Sequence, residues 1–329
     1  MKKVLKPDDL KIGMYIEIPK IWLNHPFLKN KFKISSDRQI QKIKKSHIDE
    51  ILMYPEKSEI IEKQNKGNGQ STSQKVEQQK HGPDEQFLPP DFSEKINDKN
   101  LVPEERAHVV YDSSITIMKK LFDNPTSENI SEFKDGTTEI VKMILENDAI
   151  TKYLLNITNY DQYTYTHSVN VGIYSILLAK SLFGDTHIHD MNELGAGFFL
   201  HDIGKVRIAP EILNKKGRLT EREFEIIKTH TLKGFDILTE TEQLTEESKI
   251  IVLQHHERYD GSGYPEGLEG DQIHLYSKIC SIADVFDALT SQRPYRGPMA
   301  PYEAMKLMKK KMYDHFQHDI FKQFVLLFK

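Results

Sequence analysis

The order of apolar and polar residues divides the chain into an N-terminal mixed stretch, a polar stretch and a long helical stretch. Apolar and polar positions alternate over residues 14–19 (MYIEIP), which predicts a strand, and a second strand is predicted over residues 48–54. Residues 36–45 lie between them and have the spacing of a short helix with a serine cap. We therefore expect residues 1–61 to form a small α+β domain.

A polar segment follows, and we expect residues 62–100 to be a flexible linker. Residues 64–80 (QNKGNGQSTSQKVEQQK) contain one large aliphatic side chain, Val76, and cannot bury a core. Three prolines between residues 83 and 90 discourage any regular element across this part of the segment.

From residue 103 to the end, apolar residues recur every three or four positions, which is the spacing of helices buried on one face. Later helices are predicted over 190–202, 220–238, 246–257, 275–290, 301–312 and 314–328. No strand signal of comparable strength is present in this part of the sequence. We expect connecting helices over residues 101–149 and an all-α bundle over residues 150–329, so that the chain is mainly α.

Composition narrows the class of protein. The 45 Lys and Arg residues and 49 Asp and Glu residues leave a formal charge of −4, which argues against a broad basic surface for a nucleic-acid polymer. The one cysteine, Cys280, excludes an intrachain disulfide framework and a cysteine-rich zinc module. The N-terminal residues lack the apolar segment of a secretory signal, and no apolar run is long enough for a membrane span. We therefore expect a cytoplasmic protein.

Histidine and aspartate residues at the ends or on one face of successive predicted helices are the strongest sign of chemistry. The set consists of His167, His201, Asp202, His230, His255, His256 and Asp284. A helical bundle can bring such positions together in its core. The neighbours His201 and Asp202 both reach one site most easily at a helix end, and Gly204 fits such an end. His255 and His256 likewise precede a glycine-rich turn.

These residue types suit two transition-metal ions. Neutral imidazole binds first-row transition metals and a carboxylate can bridge two ions, whereas Mg²⁺ and Ca²⁺ prefer oxygen ligands. We therefore predict two divalent ions, iron or manganese first, with zinc, nickel or cobalt as alternatives. A hydroxide that bridges two such ions attacks a phosphorus atom in line, while the ions stabilise the phosphoryl oxygens.

Each member of the set also has a plain structural interpretation. A lone histidine on a helix is usually a hydrogen-bonded core residue, and a short match such as HDIGK arises by chance. Two adjacent pairs at helix ends are harder to explain by packing. We expect the other histidines to be surface or structural residues: His25, His47, His81, His108, His187, His189, His274, His315 and His318.

Four segments, in order, resemble the HD-GYP branch of the HD phosphohydrolase superfamily. They are HDIGKVRIAPEIL from residue 201, KTHTLKGFDIL from residue 228, HHERYDGSGYPEGLEGDQI from residue 255 and KICSIADVFDALTSQRPYR from residue 278. Residues 161–172 (DQYTYTHSVNVG) are similar to the family's first metal-binding helix, so the resemblance covers about residues 150–328. LKIGMYI and WLNHPFLKNKF resemble the small domain of unknown function that often precedes HD-GYP domains.

The resemblance implies an HD-type bundle that hydrolyses cyclic di-GMP to linear pGpG and, in some members, on to GMP. It implies two or three metals, often iron, held by the histidines and aspartates named above. Asp202 matches the bridging carboxylate, and Lys205 matches the lysine that contacts the scissile phosphate, so these two are the expected catalytic residues. Substrate contacts are implied for Lys205, Tyr264, Gly263, Arg293 and Arg296.

One departure from the family's pattern decides the expected number of ions. Members with a third metal carry a glutamate four residues before the first ligand histidine, and that position is Tyr163 here. Tyrosine is a poor ligand for these ions, so we predict two ions rather than three. The family's frequent His-Pro at the middle ligand is His230 followed by Thr231, which leaves the ligand itself in place.

The leading hypothesis is thus a phosphodiesterase for cyclic di-GMP. A cyclic-dinucleotide receptor with little catalysis is an alternative, although degenerate members usually lose ligands and this chain keeps them. A phosphodiesterase for cyclic GMP-AMP is another, because the metals act on phosphate whichever base is attached. The family implies diguanylate cyclase (GGDEF) domains as partners at the GYP loop. A homodimer and a regulatory role for residues 1–61 stay open.

Overall fold

The structure is a computed structural model of the 329-residue chain. It describes residues 2–17, 31–34, 40, 43–44, 51–58, 91–98, 100–157, 164–184, 189–215, 217–292 and 297–328. The chain divides into two compact units, Met1–His81 and Gly82–Lys329. Most of the predicted linker, residues 62–100, lies outside the described residues, and its described part contains a short helix.

The first unit contains a four-stranded antiparallel sheet. In the order β1-β4-β2-β3, its strands are β1 (Lys3–Leu5), β4 (Ile51–Met53), β2 (Tyr15–Glu17) and β3 (Lys31–Lys33). Ile16 pairs with Phe32 on one side and Met53 on the other, and it is buried together with Ile34 and Ile43. Strands β2 and β4 confirm the two predicted strands. Strands β1 and β3 were not predicted.

The second unit is helical, which confirms the mainly α fold class. In chain order, its helices are α1 (Phe92–Asn97), α2 (Pro103–Asp123), α3 (Ser127–Glu146), α4 (Asp148–Leu154), α5 (Thr164–Phe183), α6 (Met191–Phe199), α7 (Pro210–Leu213), α8 (Glu221–Lys228), α9 (His230–Thr241), α10 (Glu246–Gln254), α11 (Leu275–Thr290), α12 (Pro301–Lys311) and α13 (His318–Leu326). A 3₁₀ helix, Ile203–Arg207, lies between α6 and α7. Among the described residues, none of these helices has the length and apolar character needed to span a membrane.

Helix α5 is the centre of this unit because it is apolar on all sides. Residues 168–179 are buried, and α2, α6 and α11 pack around them. The core also includes Val110 of α2, Phe133 of α3 and Ile150 of α4. The helices before residue 155 thus share one hydrophobic core with the later ones, and His167 lies in the first turn of the central helix.

The prediction of one continuous helix over residues 220–238 is wrong, and the difference affects the position of His230. The structure has two helices there: α8 ends at Lys228, and α9 begins at His230. The break is set by a tertiary contact, since the first turns of α9 meet the backbone of the 3₁₀ helix at Gly204. Apolar spacing along the chain carries no sign of such a contact.

The sequence suggested that Gly204 ends a helix, as a glycine in the left-handed conformation does. In the structure its φ is not positive, and the residue instead allows this close contact. A Cβ atom on Gly204 would lie 1.9 Å from the carbonyl oxygen of His230 and 2.4 Å from the amide nitrogen of Gly234. The 3₁₀ helix and α9 therefore pack backbone to backbone, and this fixes His230 relative to His201 and Asp202.

Gly204→Ala is expected to destabilise the helical unit by roughly 1–3 kcal/mol or more, because the added methyl group meets backbone atoms that cannot rotate away. Urea unfolding followed by far-UV circular dichroism measures the change. Gly217→Ala is the matched control: its Cβ would meet nothing within 4 Å, so stability should stay within about 0.5 kcal/mol. Equal unfolding midpoints for the two variants would contradict this account of the packing.

Candidate metal centre

The predicted ligands lie together in the core of the helical unit. Their nitrogen and oxygen atoms form two groups, each with all atoms within 4.8 Å of one another. The first group is His167, His201 and Asp202, and the second group is Asp202, His230, His255 and His256. Asp284 lies beside both groups, since its Oδ1 is 3.0 Å from His167 Nε2 and its Oδ2 is 3.5 Å from His256 Nδ1.

His201, His230 and His255 have the same orientation because each follows the end of a helix by one or two residues. The last carbonyl groups of a helix have no partner within it. Nδ1 of each histidine lies 2.7–2.9 Å from the carbonyl oxygen three residues earlier, so Nδ1 carries the proton. Nε2 keeps its lone pair and faces Asp202. Metal-binding histidines are commonly fixed in this way.

The centre therefore contains electron-pair donors with no proton between them. His230 Nε2 lies 3.2 Å from Asp202 Oδ1 and 3.3 Å from His255 Nε2, and all three atoms are acceptors in this tautomer. His201 Nε2 is buried and has no hydrogen-bond partner among the described residues. Acceptors this close repel one another unless a cation lies among them. This nitrogen-rich set with a shared carboxylate fits transition-metal ions.

Burial and neighbouring charges keep most of these groups in their metal-binding forms. Burial lowers the pKa of His256 to about 3, and burial and the adjacent His256 lower the pKa of His255 as well. Although burial alone would raise it, the charge of Lys205 and the contact with His201 hold the pKa of Asp202 well below its usual range. At neutral pH the two histidines are therefore neutral and the aspartate is charged.

His167 differs from the other histidines. Burial alone would lower its pKa, but hydrogen bonds with Asp284 and Asp287 outweigh this effect and raise the pKa of His167 to about 9. A metal ion that binds its Nε2 must displace a proton. Binding at the first group is therefore expected to release a proton at neutral pH.

Asp287 was not predicted, and it holds His167 in place. It is fully buried, its Oδ2 lies 2.6 Å from His167 Nδ1, and it accepts a hydrogen bond from Ser291 Oγ at 3.0 Å. A carboxylate on the nitrogen that does not bind metal fixes the tautomer and increases the basicity of the other nitrogen. The signal in the sequence was its position three residues after Asp284, on the same face of α11.

Asp287→Asn is expected to weaken ion binding at the first group by ~10–100-fold. The amide keeps the shape of the side chain but removes the negative charge beside His167 Nδ1. Anaerobic calorimetric titration of metal-depleted protein with Mn²⁺ measures the affinity. Asp319→Asn, an exposed carboxylate on α13, is the control and should leave the affinity unchanged. An Asp287→Asn protein with the wild-type affinity would rule out this role.

Lys205 and Tyr264 lie at the edge of the centre. Lys205 Nζ is 2.5 Å from Asp202 Oδ2, and the lysine side chain is 22% exposed. The ring of Tyr264 packs on His256 with 4.7 Å between ring centroids, and burial raises the pKa of its hydroxyl. A groove of about 220 Å³ opens beside Lys205, with Phe122 of α2 in its wall. A ligand at the centre would meet both side chains.

The loop that carries Tyr264 is held by a buried carboxylate. Glu257 accepts hydrogen bonds from the backbone N–H groups of Glu266 at 2.7 Å and Leu268 at 3.0 Å. Gly263 packs directly on this residue, since a Cβ atom there would lie 2.5 Å from Glu257 Cα. In the structure Gly263 allows this close packing, and its contact with substrate stays a prediction.

Tyr163, Arg293 and Arg296 lie outside the described residues, and so do four of the histidines predicted to be surface or structural, His25, His47, His81 and His187. The ion count inferred from the tyrosine and the substrate contacts of the two arginines therefore stay predictions. His189 is described, and its Nδ1 lies 2.7 Å from the hydroxyl oxygen of Tyr276, remote from the ligand set. This agrees with the structural role predicted for it.

Sequence models of two families match the chain. The model described as an HD domain matches residues 184–320, and the model described as a domain of unknown function, DUF3391, matches residues 2–131. The HD match contains all the predicted ligands except His167. The two matches confirm the family resemblance at both ends of the chain.

Several curated proteins are similar to the chain. A cyclic di-GMP phosphodiesterase of Pseudomonas aeruginosa is 29% identical over 330 residues, which is 99% of this chain and 76% of that protein. A cyclic di-GMP phosphodiesterase of Thermotoga maritima is 36% identical over 58% of this chain and 50% of its own length. A 3'3'-cGAMP-specific phosphodiesterase of Vibrio cholerae is 37% identical over 56% of this chain and 41% of its own. The chain thus spans half or less of the last two.

Among solved structures, Bd1817 of Bdellovibrio bacteriovorus, described as an HDG"Y"P protein, aligns with a TM-score of 0.63. The alignment covers 100% of this chain and 99% of that one, at 17% identity, and shows that the two share a fold. The ordered motifs, the two family matches and the curated relatives agree with this fold. The chain therefore contains an HD domain over residues 184–320 and a DUF3391 domain over residues 2–131, and its ordered motifs resemble those of the HD-GYP branch.

Proposed function

We propose that the chain is a metal-dependent phosphodiesterase that hydrolyses cyclic di-GMP to linear pGpG. The observation that carries the proposal is the pair of buried donor groups that share Asp202, with Lys205 at their edge. Two adjacent cations and an ammonium group suit the transition state of a phosphodiester, which concentrates negative charge on oxygen. The names of the relatives from Pseudomonas and Thermotoga support this substrate.

The proposed cofactors are two divalent ions, iron or manganese. One ion would be held by the first group and the other by the second group, with Asp202 common to both and Asp284 within reach of each. When bound, such a pair of ions lowers the pKa of a water and stabilises charge on phosphoryl oxygens. The histidine-rich donor set favours iron or manganese over magnesium or calcium.

Lys205 is the residue that we propose to contact the scissile phosphate. Its ion pair with Asp202 directs Nζ toward the centre, and the partial exposure of its side chain leaves room for a ligand. An ammonium group there would neutralise charge on a phosphoryl oxygen and supply a proton to the leaving oxygen. Asp202 would thus orient the lysine as well as hold both ions.

The nucleotide is proposed to lie against the loop that follows His256. The ring of Tyr264 and its hydroxyl would meet a guanine or ribose, and Gly263 keeps the loop close to the centre. Arg293 and Arg296 would pair with phosphate oxygens or guanine edges, as guanidinium groups commonly do. These assignments follow the family resemblance residue by residue.

Cyclic GMP-AMP is the second candidate substrate. The observation in its favour is the 37% identity to a relative named for that dinucleotide. The two ions and Lys205 would act on phosphate in either molecule, so the choice depends on contacts to the second base. A comparison of kcat/KM for the two cyclic dinucleotides decides between them.

The proposed setting is signalling by a bacterial second messenger in the cytoplasm. The single cysteine is buried and the substrate is an intracellular messenger, and both favour this location. The exposed residues Arg258, Asp260 and Ser262 beside Tyr264 offer a surface to a diguanylate cyclase (GGDEF) domain. A second copy of the chain is the other proposed partner, and sedimentation analysis tests it.

The experiment that tests the proposed function is anaerobic loading with Fe²⁺ or Mn²⁺, followed by chromatography of the products from cyclic di-GMP. We expect linear pGpG, and the same trace shows whether GMP follows. Tight binding without cleavage would support a receptor instead. The absence of turnover with every divalent ion tried would contradict the proposal.

A further inference from the structure

A chain of buried hydrogen bonds leads from α2 to the candidate metal centre. The hydroxyl of Tyr111 on α2 donates to Asn170 Oδ1 at 2.8 Å, and Asn170 Nδ2 donates to Asp287 Oδ1 at 2.7 Å. Asp287 Oδ2 in turn lies 2.6 Å from His167 Nδ1. Tyr111, Asn170 and Asp287 are 1%, 3% and 0% exposed, so water does not compete for these bonds.

The direction of every bond in this chain is fixed by its end at Asp287. A carboxylate is an acceptor only, so Asn170 must turn its NH₂ group toward Asp287. The carbonyl oxygen of Asn170 then faces Tyr111 and needs a donor, which the tyrosine hydroxyl supplies. The amide in turn holds the carboxylate so that it accepts the Nδ1 proton of His167. Nε2 of His167 is thereby left for a metal ion.

From this geometry we propose that Tyr111 and Asn170 are positioning residues for the ion at the first group. They set the orientation of Asp287 and, through it, the ring orientation and tautomer of His167. Helix α2 lies outside the HD match at residues 184–320, yet it takes part in building the centre. This inference rests on the proposed metal centre.

The packing of α2 does not by itself require these polar groups. Val110 and Ile117 already anchor the helix in the core, and a buried hydroxyl or amide is unfavourable unless it is paired. A phenylalanine and a leucine would fill the same space without that requirement. A buried series of fully paired hydrogen bonds that ends on His167 is better explained by its effect on the orientation and tautomer of this histidine.

The chain of bonds reaches the first group alone. His230 and His255 of the second group are fixed by backbone carbonyls at the ends of α8 and α10, independently of α2. A defect in these hydrogen bonds should therefore weaken the binding of one ion and leave the binding of the other unchanged. General destabilisation of the fold would affect both, so the two effects can be told apart.

The test is Tyr111→Phe in the full chain, titrated anaerobically with Mn²⁺ after metal removal. We expect one of the two binding steps to weaken by ~10-fold or more and the other to keep its affinity, while KM for cyclic di-GMP stays unchanged. Tyr153→Phe, which changes an exposed tyrosine on α4, is the matched control and should leave both steps as in the wild type.

Asn170→Leu is the second variant, and it decides the question if Tyr111→Phe does not fold. The apolar side chain neither accepts from Tyr111 nor donates to Asp287, so the same single step should weaken. Equal weakening of both steps, or two wild-type steps in a folded variant, would overturn the inference while the proposed centre stands. A wild-type protein that binds no ion would overturn the inference together with the proposed function.

Discussion

Asp202→Asn is expected to prevent binding of both ions and to lower kcat for cyclic di-GMP by ~10³-fold or more. Asp202 is the residue common to the two donor groups, and a neutral amide is a weak ligand for a divalent ion. The ions contribute several kcal/mol to the transition state, and ~4 kcal/mol corresponds to about a thousandfold change in rate. Mass spectrometry of the metal content and kcat on the same sample measure both effects.

The control for this variant is Asp236→Asn, an exposed carboxylate on α9. It should keep two ions per chain and the wild-type kcat. Far-UV circular dichroism confirms that each variant keeps its helices. An Asp202→Asn protein that retains both ions would show that the two groups do not depend on a shared carboxylate.

Lys205→Met is expected to lower kcat by ~10²–10³-fold while the protein keeps two ions per chain. Methionine has a similar length but no charge, so the loss is that of the ammonium group that we propose to act on the phosphate. Its removal takes a positive charge away from Asp202, so ion binding should not weaken. Steady-state kinetics together with metal analysis separates these two effects.

Lys306→Met is the matched control, since that lysine side chain is 62% exposed on α12. Its kcat and metal content should equal those of the wild type. Loss of metal in Lys205→Met would assign the lysine to assembly of the centre, and an unchanged kcat would remove it from the catalytic mechanism.

The ligand set was predictable because its placement depends on local features. His201, His230 and His255 each follow a helix end, and each donates its Nδ1 proton to a carbonyl oxygen three residues earlier. That contact lies within one turn of the chain, and for His201 and His255 it follows from helix ends that the sequence predicted, whereas the helix end before His230 was not predicted. Because these contacts are local, the adjacent pairs His201–Asp202 and His255–His256 indicated the site from the sequence.

The remaining features depend on contacts between distant parts of the chain. Asp287 meets His167 across 120 residues of sequence, and its role is visible only once α5 and α11 are packed together. The break between α8 and α9 depends in the same way on the contact between Gly204 and His230. Spacing within one helix gives no information on which residues face each other in three dimensions.

The hydrolysis of cyclic di-GMP is proposed to require two ions, held by groups that share Asp202. The most direct measurement is the hydrolysis rate of metal-depleted protein during stepwise anaerobic addition of Mn²⁺, with bound metal determined at each step. We predict that turnover reaches its maximum at two bound ions per chain. A maximum at one ion, or no turnover with two ions bound, would contradict the claim.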